Sequence, residues 1–229
     1  AYYSAATMLI RGASSKLDIA PEEIELASIH GGSAGDPRAV AEIMLADHLS
    51  NGAGFVEWMR NNWEKLLDGI LGEEDTGYAP SLPCSCDSAC YSCLMSYRNR
   101  PLHGLLDWRL GYDLLMIIKD EGYLCGIDGE LDENFSLSFW KEMSKSLAVS
   151  MCAAFPSLEL LEGKSLHGFR EPDGNGFLVS HPLWGASQPL NGLVHAACEE
   201  LGLDPSCTRL INTFDLSRRM AWCWEKRDS

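Results

Sequence analysis

The chain has 229 residues, of which 46% are hydrophobic and 22% are charged, as in ordinary folded proteins. No apolar run approaches the ~20 residues that a bilayer-spanning helix needs, so we expect no membrane partner. The length allows one substantial core, or one core with a small satellite.

The negative charge is unevenly distributed along the chain. The net charge is −15 and the pI is about 4.7. Residues 1–83 hold 5 Lys/Arg against 13 Asp/Glu, residues 84–119 hold 4 against 3, and residues 120–229 hold 9 against 17. A free-standing nucleic-acid binder usually has a basic face, so the overall balance argues against one. The segment 84–119 is the one expected to meet phosphate, if any does.

The first third of the chain predicts a mixture of helices and strands. Apolar spacing and turn residues predict a helix over 3–16, a strand over 24–29, a loop over 30–37, a buried strand over 43–47 and a helix over 55–71. Asn51-Gly52-Ala53-Gly54 separates the last two elements. A strand, a glycine turn and a helix can cradle phosphate. Because GxGxxG and GK[ST] are both absent, we favour a tight turn.

Four cysteines then fall within ten residues, at Cys84, Cys86, Cys90 and Cys93. Four thiolates converging from one short loop form a tetrahedral, soft-ligand cage, which Zn²⁺ prefers. The final C-x2-C is a common zinc-knuckle spacing. We therefore predict a structural zinc ion held by these four side chains.

Disulfides and an iron–sulfur cluster are the alternatives to zinc. The chain has nine cysteines, an odd number, and the other five are scattered. That usage, with no signal peptide in the sequence, predicts a reducing, cytoplasmic location, where clustered cysteines are more often metal ligands. The usual ferredoxin spacings are absent, so an iron–sulfur cluster ranks below zinc.

The rest of the chain predicts further helices and strands. Tyr91 to Tyr97 is expected to start a helix, and residues 105–119 to form an amphipathic one with Asp107, Arg109 and Asp113 off its apolar face. Beyond residue 120 we expect a short strand over 123–125, a helix over 137–155, strands over 158–161 and 176–181, and a helix over 191–201. The fold class is α+β, with a small mixed sheet, packed helices and a zinc loop. We expect one domain over 1–125 and a C-terminal α+β extension over 126–229 packed on it.

The string CDSACYSCLMSYRNRPLHGLLDWRLGYDLL, residues 86–115, resembles the MrfA-like zinc-binding domain. IMLADHLSNGAGFVEWM, residues 43–59, is similar to the strand, Gly-Ala-Gly turn and helix of that family. The resemblance covers about residues 1–120. It implies the C-terminal module of superfamily 2 DNA-repair and phage-defence helicases, or of a partner protein in a DISARM-type system. It also implies that the four clustered cysteines are the zinc ligands.

The same resemblance implies a role beside a motor, because no Walker A lysine, DEAD/DEAH box or arginine-finger context occurs. We expect a helicase motor domain or subunit as partner, with DNA reached through the assembled complex, and no enzymatic activity from this chain alone. Candidate contacts to nucleic acid or to a partner are Arg98, Arg100, His103 and Arg109.

Two other functions remain open from the sequence. One is a nuclease-like or hydrolytic enzyme in the C-terminal half, where Glu162-Gly-Lys164 superficially matches the E-x-K of metal-dependent nucleases. The other is a protein-interaction scaffold without nucleic-acid contact, which the net charge favours. No G-x-S-x-G elbow or cysteine–histidine nucleophile context is visible in the sequence.

Overall fold

The computed structural model describes residues 1–30, 42–49, 51–72, 80, 82–131, 134–184 and 188–225. Residues 31–37 of the predicted loop lie outside these ranges. The chain divides into two compact units, Ala1–Gly122 and Tyr123–Ser229. Within the described ranges, no helix has both the length and the apolar character that crossing a membrane requires.

The first unit contains four helices and a two-stranded sheet among its described residues. In chain order these elements are α1 (Tyr2–Leu17), β1 (Ile24–His30), β2 (Glu42–Asp47), α2 (Phe55–Asn61), α3 (Trp63–Leu71) and α4 (Trp108–Lys119), with short 3-10 helices at Pro21–Glu23 and Arg100–Leu105. The helices α1, α3 and α4 contact one another, and α1 also contacts β1. Their small and aliphatic side chains form the core of this unit.

Helices α1 and α4 approach closely at Gly111. A Cβ atom at that position would lie 2.7 Å from the Met8 sulfur and 2.9 Å from the Ser4 Cβ. The backbone N–H of Asp107 donates to the Ser4 hydroxyl at 2.9 Å, next to this contact. Glycine is therefore needed at 111 because a larger residue would push α4 away from α1.

The strands β1 and β2 pair antiparallel, with a bulge between Leu26 and Ser28. The sequence predicts a buried strand near 43–47, but β2 is only half-buried and Met44 is 51% exposed. Helices α1 and α2 both contact β2, but a sheet of two strands buries only part of its surface. The short apolar run is thus a half-buried strand.

The predicted helix over 55–71 is two helices. The break lies at Asn62, whose φ and ψ of −121° and 27° are not helical. Its side-chain amide donates to the Trp58 carbonyl oxygen at 2.9 Å. Asparagine often bonds to nearby backbone in this way, which competes with the helical ladder and separates α2 from α3.

Among its described residues, the second unit has three helices around a four-stranded sheet. Its elements are α5 (Phe135–Ala154), β3 (Glu159–Glu162), β4 (His167–Arg170), β5 (Gly176–Ser180), α6 (Gln188–Leu201), β6 (Thr208–Asn212) and α7 (Thr213–Glu225), with a 3-10 helix at Pro205–Cys207. The strand order is β3-β4-β5-β6, antiparallel except for the parallel β5–β6 pair. The α+β class is confirmed, and the mixed sheet belongs to this unit.

Strand β5 is the centre of the core of the second unit. All five of its residues are buried. Leu178 joins a cluster with side chains of α6, whereas Phe177 and Val179 join a cluster with side chains of α7. Successive side chains on a strand point to opposite faces, so both faces of this sheet are covered.

Two predicted elements are absent from the structure, and two observed strands were not predicted. Residues 91–97 form turns rather than a helix, because the metal loop and the turn after it bend the chain there. Residues 123–125 form no strand, and Cys125 has a positive φ of 53°, which strand geometry does not allow. Strands β4 and β6 are too short to carry a clear alternating pattern.

Candidate metal centre

The four clustered cysteines converge in the loop that precedes α4. The Sγ atoms of Cys84 and Cys90 lie 3.7 Å apart, those of Cys86 and Cys93 lie 3.6 Å apart, and those of Cys90 and Cys93 lie 3.7 Å apart. All four sulfurs lie within 4.8 Å of one another. One loop therefore brings together every cysteine that the sequence assigns to the site.

These separations fit a tetrahedral metal site. With Zn–S bonds of about 2.3 Å, the edge of a regular ZnS₄ tetrahedron is about 3.8 Å. A disulfide would need sulfurs about 2.05 Å apart, and all four thiols are free. Four soft sulfur donors at tetrahedral spacing leave no open coordination position, which is the pattern of a structural site.

Three of the four thiols have shifted pKa values, and the shifts differ in direction. Backbone N–H groups of Cys93 and Ser92 lower the pKa of Cys90 to about 6. Burial raises the pKa of Cys93 to about 11 and raises that of Cys86 further. The loop thus favours a thiolate at Cys90, and a metal ion must displace protons from the more buried sulfurs.

Three side chains from two helices hold the backbone of the metal loop. The Trp108 indole N–H donates to the Cys86 carbonyl oxygen at 3.2 Å, and the Arg109 guanidinium donates to the same oxygen at 3.4 Å. Arg11 of α1 donates to the carbonyl oxygens of Cys93 and Tyr91. The loop is therefore fixed from outside as well as by its ligands.

A locked turn follows the last ligand. The Ser96 N–H donates to Asn99 Oδ1 at 2.7 Å, and the Asn99 N–H donates back to the Ser96 hydroxyl at 3.3 Å. Asn99 Nδ2 donates to the Leu94 carbonyl oxygen at 2.8 Å. His103 Nε2 lies 2.9 Å from the Ser96 carbonyl oxygen and 3.0 Å from Asn99 Oδ1. Since both neighbours are acceptors, Nε2 carries the proton and donates.

The predicted contact residues lie in different environments. Arg98 and Arg100 are exposed, and Arg98 lies 4.0 Å from a carboxylate oxygen of Glu22. His103 is half-buried and holds the turn described above. Arg109 is only 3% exposed and serves the metal loop. The structure thus leaves Arg98 and Arg100 as the surface arginines among these four residues.

The sequence also places Asp107, Arg109 and Asp113 off the buried face of α4, and this prediction is wrong. All three are buried, whereas Ile117 and Ile118 are 38% and 47% exposed. Asp107 caps the helix by accepting from the Arg109 N–H at 3.2 Å, and the two side chains form an ion pair at 3.6 Å. Asp107 and Arg109 are therefore buried because they serve the helix start and the metal loop.

Sequence reasoning missed Tyr97 at the tip of the locked turn. Its side chain is 81% exposed, and Tyr91 in the metal loop is 63% exposed. The Tyr91 ring lies edge-on to His103 with centroids 5.7 Å apart. An aromatic residue inside the Ser-Tyr-Arg-Asn string was the only signal in the sequence.

The glycine turn before α2 is closed by an internal carboxylate. Asp47 accepts from the Gly54 N–H at 2.7 Å and from the Val56 N–H at 2.9 Å. Burial raises the pKa of Asp47, but the backbone N–H groups outweigh it and lower the pKa overall. Gly54 has a φ of 84°, which favours glycine. Asp47 thus occupies the place that a phosphate would take in a cradle.

The second unit holds a cysteine–histidine contact that the sequence did not indicate. Cys125 Sγ lies 3.4 Å from His181 Nδ1, and both residues are only 2% exposed. The His-Pro-Leu-Trp string contained the histidine, but its partner is 56 residues away. Because both side chains are buried, solvent has little access to this thiol.

Glu162, the acidic residue of the nuclease-like pair in the second unit, is held in an ion pair. Glu162 bonds to Lys145 at 2.8 Å, and this contact lowers the pKa of Glu162. The Lys164 N–H donates instead to Glu200 at 2.9 Å. The Glu162 carboxylate and the Lys164 backbone are therefore held by different partners.

Comparison with known proteins agrees with the metal centre. The family model described as the MrfA Zn-binding domain matches residues 5–94. The chain is 32% identical over 74 residues to the Druantia protein DruE of Escherichia coli (strain UMEA 4076-1). That alignment covers 32% of this chain and 4% of the relative. No solved structure matches the chain significantly. The matched segment, residues 5–94, contains all four clustered cysteines.

Proposed function

We propose that this chain is a zinc-stabilised accessory and interaction module of a DNA helicase system in DNA repair or anti-phage defence. The observation that carries the proposal is the four-sulfur tetrahedron inside a segment that matches the MrfA Zn-binding domain. The similarity to DruE is consistent with such a system, but it spans a small part of that protein.

Zinc in this module would have a structural role. Four thiolates fill its coordination sphere, so no position is left for a water molecule or a substrate. Cys84, Cys86, Cys90 and Cys93 would hold the ion, and Trp108 would fix the loop around it. The metal would order a loop that has few apolar side chains of its own.

The partner of the module would be a helicase motor, either a domain of the same protein or a separate subunit. Arg98 and Arg100 are the exposed arginines of the one segment that is not acidic, so they are the proposed contacts to DNA or to that motor. The acidity of the remaining chain would keep DNA binding by the module alone weak.

The test is reconstitution with a helicase motor from the same genome, supplied as a separate subunit or as a domain joined to this chain. We expect the module to associate with the motor and to change its DNA-stimulated ATP hydrolysis or unwinding. Cys90→Ser should abolish the effect, and Cys207→Ser, at an exposed cysteine outside the cluster, should preserve it. A module that neither associates with the motor nor alters its activity would contradict the proposal.

A further inference from the structure

A groove of about 520 Å³ runs along strand β1 within the first unit. Its walls come from α1, through Tyr3 and Ile10, and from the segment after the metal loop, through Leu94 and Leu102. Its floor includes every residue from Ile24 to Ile29. A groove over one face of a strand would be lined by alternate residues, so this groove follows the edge of β1.

The hydrogen bonding of the sheet identifies that edge as the one away from β2. The His48 N–H donates to the Glu23 carbonyl oxygen at 2.8 Å, directly before the pair Ile24–Asp47. Hydrogen-bonded and non-hydrogen-bonded pairs alternate in an antiparallel ladder. Ile24 and Leu26 therefore direct their backbone groups away from β2. The Ile24 N–H does so, since it donates to the Pro21 carbonyl oxygen.

Leu26 continues this pattern without a backbone partner. Among the residues that the structure describes, no main-chain group accepts from or donates to its outward N–H and C=O. Leu26 is only half-buried and lines the groove. An open strand edge beside an apolar wall has the donor and acceptor pattern that a second extended backbone completes.

The charges of the groove specify the occupant further. Glu22 and Glu25 lie at the end where β1 begins, in a segment, residues 1–83, with 5 basic against 13 acidic residues. Arg98 reaches Glu22 only at 4.0 Å, and the Glu25 side chain is 54% exposed beside His48. About half of the remaining lining is aliphatic, and the basic side chain of Arg11 is already engaged by the carbonyl oxygens of Cys93 and Tyr91. A basic side chain is thus favoured at this end and aliphatic side chains along the remainder.

We propose that the edge of β1 binds an extended segment of a partner polypeptide, which adds to the sheet as a third strand. The segment carries a lysine or arginine opposite Glu25, and its alternate side chains toward the groove are aliphatic. This inference rests on the strand edge and the groove, and it holds whether or not the partner is a helicase motor.

The experiment is a selection from a random nonapeptide library on the intact chain, followed by fluorescence anisotropy with the enriched peptides. We expect peptides with alternating aliphatic residues and a basic residue near one end. Binding should protect the Leu26 amide from hydrogen exchange. Two peptides should be compared, methylated on the odd-numbered or on the even-numbered backbone nitrogens. Only one of the two should lose binding, because only every second N–H of an added strand donates to β1.

Two variants with matched controls complete the test. Leu26→Pro removes the outward N–H and should weaken binding about tenfold or more, whereas Leu26→Ala retains that N–H and should bind more tightly than the proline variant. Glu25→Lys should weaken binding, and Glu57→Lys, at an exposed acid on α2, should leave it unchanged. Thermal melting of each variant confirms folding.

The proposal is overturned if no peptide is enriched above background, or if the enriched peptides bind the folded Leu26→Pro and Leu26→Ala variants equally. It is also overturned if protection from exchange appears outside β1 and spares Leu26. If both N-methylated peptides still bind, only side chains hold the peptide in the groove, and this result contradicts strand addition.

Discussion

The indole N–H of Trp108 donates to the carbonyl oxygen of Cys86 at 3.2 Å, and so joins the first residue of α4 to a ligand of the metal centre. Trp108 is only 1% exposed, and its backbone N–H donates to the Ser88 carbonyl oxygen at 2.8 Å. The metal loop is therefore continuous with the helical core of the first unit. Disturbance of the loop should be felt as a loss of stability.

We predict one zinc ion per chain. Elemental analysis of the purified protein should find about one equivalent, and X-ray absorption should show four sulfur neighbours at about 2.3 Å. Removal with a chelator should lower the melting temperature, because metal binding is coupled to folding. Zinc-free protein with Cys84 to Cys93 in disulfides would contradict the prediction.

Replacement of a ligand should destabilise the first unit. Structural zinc sites contribute about 10 kcal/mol or more to folding, so Cys90→Ser should lower the melting temperature by more than about 10 °C. Cys207→Ser is the matched control, since Cys207 is exposed and outside the cluster. Equal melting of the two variants, with zinc lost only from the first, would show that the metal does not hold the fold.

Charge-reversing substitutions should affect the exposed arginines and the buried arginine differently. Arg98→Glu and Arg100→Glu should leave melting near that of the parent chain and weaken DNA-dependent function of the assembled system. Arg109→Glu should destabilise the protein, because Arg109 is buried beside Asp107. Arg60→Glu is the surface control, with a side chain that is 78% exposed on α2.

The arginine variants also distinguish DNA from a protein partner. A weaker salt dependence of DNA binding in Arg98→Glu indicates phosphate contact. Unchanged DNA binding with lost association to the motor indicates a protein interface instead. Unfolding of Arg98→Glu or Arg100→Glu would mean that these residues are structural.

Asp47 should make stability depend on pH in the acidic range. Its pKa is lowered in the folded chain from an ordinary value of 3.8, so its contribution is present above pH 3.8 and is lost as the pH falls through the lower folded value. Asp47→Ala should cost about 1 kcal/mol of unfolding free energy at pH 7, as for other helix caps. Denaturant titrations should show that the difference in unfolding free energy between the parent chain and Asp47→Ala shrinks below pH 3.8. A difference that stays constant with pH would mean that the charge of Asp47 does not stabilise the turn.

The chain alone should hydrolyse no ATP. The sequence contains no glycine-rich loop with a phosphate-binding lysine, and the glycine turn before α2 is closed by Asp47. A coupled assay with protein purified over successive columns checks this expectation. Two results together would contradict this expectation and indicate a nucleotide site at the glycine turn. ATP turnover would follow the protein through every column, and replacement of Gly54 with Asp47 unchanged would abolish that turnover.

The sequence by itself determined the cluster of four cysteines, because they fall within ten residues and local chain geometry must bring them together. It also determined the long elements α1, α5 and α6, whose apolar spacing extends over several turns. Only the tertiary structure decided the burial of Arg109. A helical wheel places this side chain on the surface, but it is buried and donates to the Cys86 carbonyl oxygen in the metal loop. The same holds for the contact of Cys125 with His181, and for the open edge of β1 beside Leu94 and Leu102. These features join residues far apart in the chain, and such pairings arise from packing of the whole unit, which no local pattern encodes.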